Sequence, residues 1–146
     1  MRLVSASPEH IPCLAANMRE ADAVECRAFG RSPEQALDYS LRSSLWALTA
    51  IDDEPVAMLG VSPKSMIESV GVPWMLGTEE VYANGRALLS LSRPVFAEMA
   101  DSFDVLENLV AAENERAIRF LRWAGFTMGE EPVDVGGTAF LHFERR

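Results

Sequence analysis

The segment from Asn114 to Phe126, Asn-Glu-Arg-Ala-Ile-Arg-Phe-Leu-Arg-Trp-Ala-Gly-Phe, constrains this chain more than any other. Ala117, Phe120, Leu121 and Ala124 recur at helical spacing, and Arg116, Arg119 and Arg122 fall on the opposite side. An Asn stands at the start, where a helix cap is favoured. Gly125 follows the last helical residue, as a helix stop requires. The run before it, Val105 to Ala111, reads as a strand, and Phe126 opens another extended stretch. A chain with this ending must set a short amphipathic helix between two strands.

The rest of the chain supplies the partners. Met1 to Ser5 reads as a short strand, and Ser7-Pro8 starts a helix running to about Met18. A second helix spans about Arg19 to Phe29 and stops at Gly30; a third, opened by Ser32-Pro33, runs to about Leu41. Leu45 to Ile51 and Pro55 to Val61 read as two strands turned by Asp52-Asp53-Glu54, a hairpin that Ser62 to Ser65 ends. Pro73 to Val81 is a further strand. Gly85 to about Ser102 is helical, and Pro94 must either kink it or begin a new helix capped by Ser92. Two strands around Val135 to Thr138 close the chain. This order gives one α+β domain over residues 1–146, with a mixed, largely antiparallel central sheet flanked by helices.

Charge narrows the function. The net charge is −9, so nucleic acid and anionic membrane are not expected partners. No apolar run reaches the length of a membrane helix, and the N-terminus lacks a secretory h-region, so the chain is not expected to be secreted. Two cysteines make no disulfide framework. His10 and Cys13, with Pro12 between them, are a poor ligand pair, so no metal is expected and both histidines are placed at the surface.

The element order and the Asn114–Phe126 block resemble the GNAT acyltransferase fold, in which Asn-x-x-Ala-x-x-x-Tyr-x-x-x-Gly-Phe packs beside the coenzyme A arm. A second resemblance runs from about Trp46 to the C-terminus. Pro73 to Thr78, Arg86 to Arg93, Leu106 to Val110 and Asn114 to Phe126 are similar to a small family of bacteriophage and prophage proteins typified by internal virion protein A. That likeness implies a GNAT-like fold in a virion interior or a bacterial host cytoplasm. Other virion proteins or further copies of the chain are the partners it implies.

The GNAT resemblance implies acetyl-CoA as cofactor, its pyrophosphate bound by Arg/Gln-x-x-Gly-x-Gly/Ala at a helix N-terminus. Glu80-Val81-Tyr82-Ala83-Asn84-Gly85 aligns with that motif, which makes Val81, Gly85 and Arg86 the candidate phosphate contacts and Asn114 the candidate contact to the coenzyme arm. Asn114 is also expected to cap the helix beginning at Glu115. Two departures argue against ordinary catalysis. Glu80 brings a carboxylate toward phosphates, and Leu121 stands where the enzymes often carry an acidic Tyr. Glu79 and Glu107 are the candidate bases, with Glu80 beside them. The leading reading is therefore a virion-associated GNAT-like protein with a degenerate acetyl-CoA site. The alternative is an active acetyl-CoA-dependent N-acetyltransferase, and a binding module in the former coenzyme cleft is a third. Arg116, Arg119 and Arg122, with Trp123 at their edge, form the expected contact surface.

Overall fold

The computed structural model describes residues 1–146. Strands β1 (Arg2–Ser5), β2 (Trp46–Asp52), β3 (Glu54–Ser65) and β4 (Val70–Gly77) form an antiparallel meander. Strand β5 (Val105–Ala111) then lies parallel to β4, and β8 (Thr138–Arg145) pairs antiparallel with β5. The short strands β6 (Thr127–Met128) and β7 (Val133–Val135) both pair with β8. The two terminal strands expected from sequence are thus three.

Helices α1 (Ile11–Ala16), α2 (Glu20–Ala28) and α3 (Pro33–Ser43) cover one face. Helix α4 (Gly85–Ser102) and helix α5 (Glu115–Trp123) cover the other. The larger core lies under α4 and α5, where Phe96, Phe120, Phe126 and Phe143 meet at offset or edge-on angles. A smaller core of Ile11, Leu14, Leu37 and Met58 lies under α1 and α3.

Local chemistry explains most boundaries. Ser32 and Gln35 close a reciprocal capping box on α3, and Pro33 occupies its first turn. Gly30, at φ 79°, ends α2 in the left-handed region. Helix α4 runs from Gly85 to Ser102 with Pro94 inside it, so no new helix begins at Ser92. That proline is exposed, while Val95, Phe96 and Met99 beside it are buried, so packing outweighs the lost hydrogen bond. Strand β4 starts three residues before Pro73 and ends at Gly77, and Glu79–Tyr82 is a 3₁₀ turn rather than the end of the strand. Pro73 is tolerated inside β4 because its missing N–H faces a side where no strand pairs.

His10 is not at the surface. It is half-buried, accepting the Ser7 N–H at Nδ1 and lying 2.9 Å from Thr49 Oγ1. A histidine thereby serves as the reciprocal half of a capping box.

Candidate acyl-transfer cleft

Strands β4 and β5 pair only at Val70 with Val105 and Gly71 with Leu106. Beyond that they diverge. A side chain takes the place of a strand at each step. Asn108 Nδ2 donates to the Pro73 carbonyl at 2.8 Å. Further on, Gly77 N–H donates to Asp22 Oδ2 at 3.0 Å, and the Gly77 carbonyl accepts the Arg19 N–H at 2.8 Å. Backbone groups alternate sides every residue along a strand. Met75, midway between Pro73 and Gly77, therefore turns its N–H and C=O into the same gap.

The gap opens a cavity of about 430 Å³. Met75, Phe96, Ala117 and Leu121 line it toward α5, and Phe29, Tyr39, Lys64 and Trp74 line it toward α2 and α3. Beyond the open end of β4 stands the N-terminus of α4. Asn84 caps it by accepting the Ala87 N–H at 3.1 Å. The amides of Gly85 and Arg86 precede that bond and find no partner within the helix. Gly85, Arg86, Leu89, Arg93 and Trp123 line a surface groove beside it.

A buried polar cluster holds the mouth of the cleft. Arg19 Nη1 lies 2.9 Å from Asp22 Oδ1, with both side chains under a tenth exposed. Asn114 accepts from Arg19 and donates to Asp22 and to Glu25 Oε2. Glu25 Oε1 accepts the Ala111 N–H at the end of β5. Thus two carboxylates of α2, one turn apart, hold the two diverging strand ends. Burial pushes the Asp22 carboxyl up against the opposing pull of Arg19. Burial, and then the neighbouring Asp22, push Glu25 up to about 7. Arg19 also lies over the Tyr82 ring, 4.6 Å from its centroid, and its Nε finds no acceptor.

The residues singled out from sequence separate into two groups. Gly85 and Arg86 stand at the helix start beside the groove. Asn114 lines the cavity but does not cap α5; its side chain is spent on the Arg19, Asp22 and Glu25 cluster, which a buried amide must satisfy first. The Val81 N–H is bonded to the Thr78 carbonyl inside the 3₁₀ turn, and its side chain is core, so no free amide is offered there. Glu79 and Glu80 are exposed in the same turn. Glu107 lies 2.6 Å from Lys64 Nζ and 3.2 Å from His142 Nε2. The Lys64 contact holds its carboxyl below the usual range, the opposite of what a base needs. Leu121 does line the cavity, where the resemblance would put a proton donor. Trp123 turns to the α4 groove, while Arg116, Arg119 and Arg122 remain exposed.

Arg19, Asp22 and Glu25 were not visible as site residues, because charged groups on a short helix read as a solvated face. Their recurrence every three residues is the signal they carry; Glu20 and Arg27 pair on the exposed side instead.

Neither a family model nor a curated protein matches the sequence. Solved structures do match, over nearly the whole chain. The ribosomal-protein-alanine N-acetyltransferase of Brucella melitensis superposes with TM-score 0.71 at 18% identity, covering 99% of each chain. This chain has the GNAT fold. Aminoglycoside acetyltransferase AAC(6')-Ib, solved with coenzyme A, gives TM-score 0.67 at 15% identity, over 99% of this chain and 93% of that one. An acetyltransferase of the GNAT family from Streptococcus pneumoniae gives 0.61 at 13% identity, over 98% and 97%. The likeness is to N-acetyltransferases in fold, and none of these three is described as a phage protein.

Proposed function

We propose that the protein is an N-acyltransferase that uses a coenzyme A thioester. The observation that carries this reading is the parting of β4 and β5 into a cavity, together with an uncapped pair of amides at the start of α4 beside a separate surface groove. The residues fit such a cofactor. Gly85 and Arg86 amides, with the Arg86 and Arg93 side chains, would hold phosphates at a helix N-terminus. The exposed Trp123 ring offers a flat face beside them, and the Met75 backbone offers one donor and one acceptor to an amide-bearing arm. When bound, the coenzyme supplies an acyl group activated as a thioester.

The chain's own groups do the rest. Glu25, with its carboxyl near neutrality, takes the proton from the acceptor amine at Oε2 or Oε1. Asn114 and the Ala111 N–H fix the orientation of that carboxylate. Leu121 excludes water and donates no proton. Glu79 and Glu80 lie outside the cavity lining, exposed to solvent, where their charges are screened. A virion-associated role rests on the sequence resemblance alone, and the cleft adds nothing to it.

Calorimetry with acetyl-CoA tests the reading, alongside thermal denaturation. A specific ligand at 100 times its Kd should add about 2.7 kcal/mol to stability. Saturable binding that Gly85→Glu abolishes is expected. No heat and no shift at millimolar ligand would overturn it.

A further inference from the structure

The α2 and α3 side of the cleft has its own charge pattern. Three carboxylate and guanidinium groups meet at its inner end: Asp22, Glu25 and Arg19. Two potential anions face one cation there, leaving room for a second positive group. At the outer end the sign reverses. Arg31 lies 3.9 Å from the centroid of the Tyr39 ring and makes no ion pair. Lys64 lies on the same side of the cavity, already engaged with Glu107. Between the two ends the lining is aromatic. Phe29 and Tyr39 are large apolar side chains about half exposed, at 46% and 49%. Phe29 meets Phe140 edge-on at 5.3 Å, and Trp74 spends its indole N–H on Ser44 Oγ. The Arg31 guanidinium covers one face of Tyr39, and Phe29 and Trp74 line the cavity beside it.

We propose that this side of the cleft binds a small primary amine with a flat apolar body and an anionic group at its far end. The inference rests on the acyl-transfer reading and names the class of acceptor for it. The ammonium enters toward Asp22 and Glu25. The ring lies among Phe29, Tyr39 and Trp74. The anion meets the guanidinium of Arg31, whose planar fork suits a carboxylate or phosphate. Asp22, Glu25 and Arg31 all line the one cavity, so a single small molecule within it can meet both signs of charge. A polycationic amine would place positive charge against Arg31 and Lys64, and the cleft disfavours it.

4-(Aminomethyl)benzoate carries an amine and a carboxylate on opposite ends of one ring, and benzylamine lacks the carboxylate. Both are titrated by calorimetry into the coenzyme-free protein, with acetyl-CoA titrated separately. The expected result is saturable binding of 4-(aminomethyl)benzoate, tighter than benzylamine by roughly tenfold or more, the effect of one charge-assisted contact. Arg31→Ala should remove that preference while leaving acetyl-CoA affinity unchanged. Glu25→Gln, which still accepts the Ala111 N–H, should weaken both amines. Equal affinity for the two amines, or a preference that survives Arg31→Ala, overturns the proposal. So does acetyl-CoA binding without saturable binding of either amine, an outcome that leaves the acyl-transfer reading standing. Amine binding without acetyl-CoA binding keeps the acceptor site and removes the transfer reaction.

Discussion

The two ends of the β4–β5 junction are built on opposite principles. At the closed end, Val70 and Gly71 pair with Val105 and Leu106, and Gly71 sits directly under the Phe103 ring. Contact there is apolar and close. At the open end, the strands are held by Asp22, Glu25, Asn114 and Arg19 instead of by each other. A parallel pair normally continues until its residues run out. Here it stops because side chains from α2 supply the hydrogen bonds that the partner strand would have supplied. The cleft is therefore held open by charged groups and held shut at its root by shape.

The largest test strikes the open end. Arg19→Met leaves Asp22 buried without its cation, and removing one partner of a buried pair costs about 3–5 kcal/mol. Urea denaturation should show that loss. A cost under 1 kcal/mol would mean that the cluster does not hold the strands.

The second test uses pH. Glu25 titrates at about 7 in the folded chain against 4.5 as an ordinary glutamate. The folded state therefore binds the extra proton between these values, and stability falls as pH rises from 4.5 to 7, then levels. The decline is on the order of 2–3 kcal/mol from a shift of this size, and the raised Asp22 adds to it in the same direction. Glu25→Gln should flatten most of the slope. A wild-type protein equally stable at both pH values would contradict the cluster as described.

The closed end should respond to shape alone. A Cβ at Gly71 would stand 2.5 Å from Phe103 Cδ2, and Phe103 is buried. Overpacking of this kind costs about 1–3 kcal/mol, so Gly71→Ala should lower Tm with no change in the pH slope. If it altered the slope, the two ends would not be independent.

How much of this could be read beforehand follows the same division. Helix caps, the Gly30 stop, the hairpin and the Asn114–Phe126 unit rest on local rules, and the sequence carries them openly. Pro73 and Pro94 misled as boundary markers, because each lies where its missing N–H faces no partner or where packing outweighs it. Gly85 and Arg86 were legible as a helix start. The Arg19, Asp22 and Glu25 cluster was not, since its members meet Asn114 across 89 to 95 positions and no local pattern encodes that distance. Glu107 had the right residue type and the wrong neighbours. Only the fold brings Lys64 and His142 against it.

Pro73 has one more consequence. Two strands that part inside a sheet expose inner edges, and an unpaired edge is a template for any stray extended chain. On β4, the proline has no N–H to offer, Asn108 occupies its carbonyl, and the Gly77 groups are taken by α2. What remains is a single residue, Met75. An edge one residue long cannot recruit a neighbouring strand into an aggregate, yet it can still clasp one amide.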